Sequence, residues 1–459
     1  MRIVCLSLLV YLVACGHDPK SAGDDDTTLP DAAGSAVQGD PLQGLPSGTA
    51  EWAAVCAQHY GDMISAKFCA GSAPPALTSL ADLEQLLGLQ PSATNTNVKF
   101  TLNGESTGIG MRSVTQLNPR AFIMTAPLSG GGPNQSYEVL SFARGEPMVE
   151  LVANDPVAKT LRFFLVRFYP ACEPSCTNAD RYTPAIESGW TGYTIYDDAT
   201  IKDTTLDCLA CHQPGGPGTP KILRMQELQN PWGHWFYPER PQTATLVNDF
   251  MAAHGNESYA GIPAALVTPS RPFVLMQLVQ NNGFSTQPNV YNTLTIENEI
   301  AASGQSATWN ALYAASVAGT AIPTPYYATP ATDETIVQAD IAAYNQVMAG
   351  TLPPDQLPDF SQAYPAAALP FMSVQPAAGL DGQGILVHMC RMCHNPTLDQ
   401  TISRANFDID HLATMSRAEK DLAIQRLQLP DGDVHQMPPV RFHELSQAER
   451  DLAIGVLAQ

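Results

Sequence analysis

Short apolar runs separated by turn-forming residues dominate the chain from residue 97 to residue 168. The runs are rich in β-branched and aromatic side chains, and Gly, Pro, Asn and Asp lie between them, which is typical of strands joined by turns. This pattern predicts five strands, at 97–102, 121–125, 137–142, 148–152 and 160–168. We expect a small antiparallel sheet or sandwich within a β-rich module at 51–200. No residue pattern in this module indicates catalysis.

Beyond residue 200 the apolar positions recur at helical spacing. In the segment 245–254, one face carries four apolar residues, and Gly255 can end the helix. Those four are Leu246, Val247, Phe250 and Met251. Further helices are predicted at 222–228, 273–279 and 335–348.

Pro-rich stretches at 352–359 and 365–376 mark a boundary before the last part of the chain. They separate a mainly helical region at 201–375 from a C-terminal domain at 376–459. The predicted fold class is therefore α+β with several domains. It comprises a β-rich N-terminal module, a helical middle region and an all-α C-terminal domain.

The first 15 residues have the pattern of an export signal. The positive start, Met1-Arg2, precedes an apolar run at 3–13 that is too short to span a bilayer. Leu-Val-Ala-Cys at 12–15 resembles a bacterial lipobox, which implies a lipid anchor at Cys15; an ordinary secretory signal is the alternative. Gly16 in place of Asp implies, by the same resemblance, an outer-membrane lipoprotein facing the periplasm or the cell surface. Residues 16–50 are expected to form a flexible tether, because 21–50 is rich in Asp, Gly, Pro, Ala and Ser.

Two copies of Cys-x-x-Cys-His carry the most specific chemistry in the chain. Two thiols three positions apart lie on one helical turn and can reach the two vinyl groups of one porphyrin, while the His can supply a proximal nitrogen to the iron. A zinc site built from both cysteine pairs would not need the His residues, and a thioredoxin-like motif needs a βαβ setting that neither copy has. We therefore predict two covalently bound haem c groups, held by Cys208, Cys211 and His212, and by Cys390, Cys393 and His394.

The sixth iron ligand of the first haem is less clearly specified. Met225 lies on the first predicted helix after the loop that follows His212 and is our first candidate, although most methionines only fill cores. His234 is the nearest rival, with Met251 and His254 further along the chain. An open position is the third option, and it would allow peroxide or another small ligand to bind.

Three further elements accompany the second motif in the C-terminal domain. Gly382 lies eight residues before Cys390, a Met437-Pro438-Pro439 segment follows the motif, and a helix is predicted at 446–457 with a capping box. Together these features resemble class I cytochrome c. Leu386 stands where that family usually has an aromatic residue, so we expect an altered contact between the first and last helices.

The resemblance implies that Met437 is the sixth ligand of the second haem. A thioether sulfur is a soft neutral ligand that favours Fe(II), so His/Met ligation raises the reduction potential. His411 and His435 are the rivals for this position, and each is expected to lie on the surface.

Four cysteines remain outside the signal and the haem motifs. An even number of cysteines in an exported chain indicates disulfides. Among three connectivities we favour local pairing, Cys56–Cys69 and Cys172–Cys176. The last pair also has the spacing of a copper site, but Asp180 stands where such a site would need His.

Charge narrows the range of partners. The 459-residue chain has a net charge of −21, and only 15% of its residues are charged, against about 25% on average. The acidic excess argues against nucleic acid, whose binders need basic patches. It favours a basic redox partner protein through electrostatic steering, although acidic surfaces also serve solubility alone.

Two classes of function agree with two haems in an exported chain. The first is electron transport in the bacterial cell envelope, with each iron cycling between Fe(II) and Fe(III). The alternative is an enzyme similar to the bacterial dihaem cytochrome c peroxidases, in which one haem has an open site. The peroxide-site residues of that family are not recognisable here, so we expect an electron carrier without catalytic residues. Haem-based sensing is disfavoured because no signalling domain is recognisable.

Overall fold

An antiparallel sheet is the main element of the protein, for which we describe a computed structural model. The structure describes residues 40–95, 97–103, 117–125, 137–213, 216–221, 243–267, 378–391, 393–430, 435–438 and 445–459, with a few further positions in 339–352, at 376 and at 433. These residues all belong to one unit of the chain, residues 39–459. Their mixture of helices with an antiparallel sheet confirms the α+β class.

The sheet has six strands within the described residues, and each strand pairs antiparallel with the next one in sequence. The register places Val98 opposite Thr125, Leu140 opposite Leu151 and Val166 opposite Ile195. The five predicted strands are confirmed, whereas the sixth was missed. The strands are β1 (Val98–Asn103), β2 (Arg120–Thr125), β3 (Glu138–Phe142), β4 (Met148–Asp155), β5 (Thr160–Pro170) and β6 (Trp190–Asp197).

Helices at the start of the described chain pack on one face of the sheet. They are α1 (Gly48–Ala57), α2 (Met63–Phe68) and α3 (Leu80–Leu87). Their ends are set by local polar groups, since Asp62 caps α2, Ser79 caps α3, and Gly88 ends α3 with a φ of +65°. The shared core includes Trp52, Ile64, Phe68 and Leu83 from the helices and Ile123, Leu140, Leu151, Phe164 and Val166 from the sheet.

Later segments complete this first core. Helix α6 (Thr243–His254) contributes Phe250, and Gly255 follows it with a φ of +63°. This confirms the helix predicted at 245–254. Shorter elements lie around the sheet: helix α4 (Asn178–Arg181) and the 3₁₀ turns Pro184–Glu187 and Ala264–Leu266. The helices predicted at 222–228 and 273–279 lie outside the described residues, as does most of 335–348.

The opposite face of the sheet carries a short helix, α5 (Cys208–His212), which is the first Cys-x-x-Cys-His motif. Successive side chains of a strand point to opposite faces, so Phe164 joins the first core while Phe163 joins a second one. Cys208 and Leu209 pack against this second core, which contains Met124, Tyr137, Val139, Val152, Leu161 and Phe163. The first motif is therefore anchored directly on the sheet.

The described residues after 376 form only helices, 3₁₀ turns and loops. The helices are α7 (Gly382–Cys390), α8 (Arg417–Gln428) and α9 (Gln447–Leu457), and the 3₁₀ turns are Ser403–Asn406 and Ile409–Thr414. Ser446 and Glu449 form the predicted capping box of α9. The helices and turns after residue 376 share a separate core, which is built from Ile385, Leu386, Met389, Ile409, Leu427, Leu445, Ala453 and Leu457.

Helices α7 and α9 cross at Gly382. A Cβ at this position would collide with the backbone carbonyl of Leu452, so only glycine permits the two backbones to come this close. Leu386, one turn further along α7, is 1% exposed and lies in the core between the helices. A leucine therefore fills this contact between the two helices.

Two disulfides join cysteines within the described residues, Cys56–Cys69 and Cys172–Cys176. Both bridges are local, which confirms the favoured pairing. None of the helices in the described part of the chain combines the length and the hydropathy needed to cross a bilayer.

Candidate haem-attachment sites

The first motif begins at a well-defined helix start. The carboxylate of Asp207 accepts a hydrogen bond from the backbone N–H of Leu209 at 2.8 Å, which caps α5 immediately before Cys208. The ring of His212 stacks on Phe163 of β5, with ring centroids 4.4 Å apart. The helix and the sheet together therefore position Cys208 and His212, while the side chain of Cys211 lies outside the described residues.

The second motif follows α7 without a break. Cys390 is the last residue of the helix, and its carbonyl accepts hydrogen bonds from the backbone N–H groups of Cys393 and His394 at 3.1 and 2.9 Å. The turn thus places the two cysteines and the histidine on one compact loop at the end of α7. Burial, with a smaller effect of the neighbouring Cys393, raises the pKa of the Cys390 thiol to about 12.

His394 is held in one tautomer by its neighbour. Its Nδ1 lies 3.0 Å from the backbone carbonyl oxygen of Arg404. A carbonyl can only accept, so Nδ1 carries the proton and the lone pair of the neutral ring is on Nε2. Burial lowers the pKa of His394 to about 4, so the ring is neutral at pH 7. A neutral imidazole whose other nitrogen donates to a carbonyl is the arrangement typical of metal-ligating histidines.

Met437 lies in a loop docked on the end of α8. Its backbone N–H donates to the carbonyl of Arg426 at 3.1 Å, and its side chain is half-buried. The rival ligands His411 and His435 are both exposed, and Nδ1 of His411 is 2.7 Å from the Asp408 carboxylate. Among these three candidates, Met437 is thus the one that is partly enclosed by the domain.

Two of the rival ligands for the first haem are committed elsewhere. Nδ1 of His254 is 2.6 Å from Glu257 Oε1, and its Nε2 is 2.5 Å from the carbonyl oxygen of Leu117. Met251 packs against the first core. Both residues thus pack at the first core, on the face of the sheet opposite to α5. Met225 and His234 lie outside the described residues.

The segments that flank the two motifs pack against each other. Ser403 donates to Asp203 through its backbone N–H and its hydroxyl, at 3.0 and 2.7 Å, and Lys202 forms an ion pair with Asp399. The backbone of Gly216 approaches the carbonyl of Thr397 so closely that a side chain at this glycine has no room. The loop after one motif therefore meets the segment after the other.

Arg404 lies at the centre of this contact. Its guanidinium forms an ion pair with Asp207, the residue that caps α5. Asp207 is 8% exposed; burial raises the pKa of its carboxyl group, and the positive charge of Arg404 opposes that shift. Sequence reasoning missed both residues, because an arginine and an aspartate so far apart in the chain give no local pattern.

The described residues contain no group of three or more His, Cys, Asp or Glu side chains placed to hold a metal ion. No known protein family, curated protein or solved structure matches this chain.

Proposed function

We propose that the protein is an exported c-type cytochrome that carries electrons in the bacterial cell envelope. Two Cys-x-x-Cys-His motifs in one chain support this function, since each has the residues for two thioether bonds and one proximal ligand. One contact supports it above all, the hydrogen bond from Nδ1 of His394 to the Arg404 carbonyl at 3.0 Å. It presents Nε2 of a neutral imidazole, as an iron ligand requires.

Each motif has the residue types that a covalently attached haem requires. Cys208 and Cys211 would bind the first haem and Cys390 and Cys393 the second, while His212 and His394 would each donate a ring nitrogen. When bound, haem supplies one-electron chemistry through the Fe(II)/Fe(III) couple. The protein's own part is to fix the orientation of the histidine rings, through the Phe163 stack at one motif and the Arg404 carbonyl at the other.

Met437 is the proposed sixth ligand of the second haem, and Met225 that of the first. The docking of the Met437 backbone on α8 limits the freedom that its side chain loses on binding. The exposure of His411 and His435 makes both weaker candidates. A thioether in this position would raise the reduction potential.

The cellular setting belongs to the same proposal. A lipid anchor at Cys15 would attach the protein to the outer membrane through the residues that precede α1. The tether expected at 16–50 extends too far, because Leu42 is buried in a core with Leu165 and Tyr196 and residues 48–50 begin α1. The net charge of −21 suits a basic redox partner protein.

An absorbance and EPR spectrum of the purified, oxidised full-length protein tests the proposal. We expect two haems per chain that resist extraction from the denatured protein, both low-spin, with a far-red band from thioether ligation. A chain without covalently bound haem would refute the function. A high-spin haem that turns over peroxide would instead support the dihaem peroxidase.

The ligand assignment has its own test and a matched control. Met437→Ala should weaken the far-red band by about half, since the first haem would keep its thioether ligand, and should lower the potential of the second haem, with both haems still attached. Met415→Ala alters another half-buried methionine of the same domain and should leave both properties unchanged. An undiminished band and two unchanged potentials in Met437→Ala would show that another residue binds the second iron.

A further inference from the structure

Arg404 contacts the second motif and the residue that precedes the first motif, through two different parts of its structure. Its backbone carbonyl accepts the hydrogen bond from Nδ1 of His394, at 3.0 Å. Its guanidinium pairs with the carboxylate of Asp207, which in turn caps α5 one residue before Cys208. A single residue thus connects the proximal histidine of the second motif with the start of the first.

The ion pair between Arg404 and Asp207 is largely shielded from solvent. The exposed fractions of the two side chains are 15% and 1%. Charges that are removed from water interact strongly with each other and with other charges nearby, because the effective dielectric constant is lower than in the solvent. Loss of either partner would leave the other charge buried and uncompensated.

Neighbouring contacts make this junction specific. Ser403 binds Asp203, Lys202 pairs with Asp399, and Gly216 lies against Thr397. These contacts, which we call the junction, fix how residues 202–216 pack against residues 397–404. Arg404 lies within the junction, next to both motifs.

We propose that Arg404 is shared by the two haem sites and that its charge shifts both reduction potentials together. The inference rests on the proposed function and extends it, since it makes the two sites one unit rather than two independent carriers. The positive charge of Arg404 favours the reduced state at both sites, and the buried carboxylate of Asp207 opposes it. The balance of this pair then sets both reduction potentials together.

Redox titration of the haem-loaded full-length protein tests this coupling. Arg404→Gln should lower both potentials, and Asp207→Asn should raise both. We expect about a tenfold change in the ratio of oxidised to reduced haem at a fixed potential, equal to about 59 mV for one electron. Arg404→Lys keeps the positive charge, so both reduction potentials should stay close to the wild-type values. The double variant Arg404→Gln/Asp207→Asn removes both charges and should also have potentials close to those of the wild type.

The opposite signs separate electrostatic coupling from a merely structural role. If the pair only held the segments together, both single variants would loosen the same junction and shift the potentials in the same direction. The matched control is Arg417→Gln, which removes an exposed arginine that pairs with Asp421 and donates to the carbonyl of Leu457 at 2.9 Å; it should change neither potential. Shifts of the same sign, or a shift at one haem alone, would overturn the inference.

A second measurement does not depend on haem. Hydrogen exchange of residues 204–213 should be faster in Arg404→Gln than in the wild type and unchanged in Arg417→Gln. Equal exchange rates in all three proteins would show that Arg404 does not hold the segment around α5 in place. A chain without covalent haem would refute the proposed function instead, and the exchange experiment would then decide on Arg404 separately.

Discussion

A buried glutamate on helix α3, which packs on the sheet, provides a sharp test of the fold. Glu84 lies on the inner face of α3, with 3% of its surface exposed, and its carboxylate rests against the backbone of Gly261. Its Oε1 has no hydrogen-bond partner among the described residues. Burial, and to a smaller extent the charge of Glu187, raises the pKa of Glu84 to about 9. The residue is therefore a neutral acid in the folded protein at pH 7.

The substitution Glu84→Gln removes this titration. In the unfolded chain the carboxyl group has its ordinary pKa of 4.5, and in the folded protein about 9. Because the pKa is higher in the folded protein, the contribution of Glu84 to the free energy of unfolding is greatest below pH 4.5. It is lost as the pH rises towards 9. At about 1.4 kcal/mol for each pH unit, the wild type should lose about 3 kcal/mol between pH 4.5 and pH 7 through this residue alone. The glutamine variant should not show this loss, because its side chain does not titrate.

Urea unfolding followed by circular dichroism between pH 4.5 and 8.5 measures the effect. The free energy of unfolding of Glu84→Gln, minus that of the wild type, should rise by about 3 kcal/mol from pH 4.5 to pH 7. Glu146→Gln makes the same change at a half-buried position in the turn between β3 and β4 and is the matched control. A difference for Glu84→Gln that does not change with pH would refute the burial of Glu84 as a neutral acid.

Two further predictions concern the bridge near α1 and the junction between the motifs. Replacement of Cys56 and Cys69 by Ser opens a loop with a sequence separation of 13 and should lower the free energy of unfolding by about 3 kcal/mol, measured in urea; an unchanged midpoint would contradict this. Gly216→Ala should speed hydrogen exchange of residues 397–404, because its Cβ would collide with Thr397. Gly218→Ala is the matched control, since its φ of +84° equals the +85° of Gly216 within a degree, but nothing lies within 4 Å of the added Cβ; equal effects of both variants would exclude the collision.

The strands of the sheet could be predicted where local pattern and burial agree. In β4 and β5 nearly every residue is buried, so the runs contain few polar breaks. Strand β6 was missed because Thr191, Gly192 and Thr194 interrupt its aromatic residues. Thr194 is nevertheless buried, and its hydroxyl accepts from the backbone N–H of Gly48 at 2.8 Å. Tertiary contacts satisfy a polar side chain there, which the local sequence does not reveal.

The candidate site was predictable only in part. The motif residues can be recognised from their spacing alone, because attachment of one proposed porphyrin through both thiols would require a fixed local geometry. The junction between the motifs does not, since Asp203 and Ser403 are 200 positions apart and each is an ordinary polar residue in its own segment. The role of Arg404 depends on both its carbonyl and its guanidinium, and only a three-dimensional arrangement defines these together.

The strand order has a consequence for how the protein folds. Every strand lies beside its neighbour in sequence, so the sheet is made from contacts of short sequence separation, which form early and quickly. The junction around Arg404 joins segments some two hundred residues apart, and its loop-closure entropy is correspondingly larger. We therefore expect the sheet to form first. The segment of the second motif would then pack against the first motif on a sheet that is already folded.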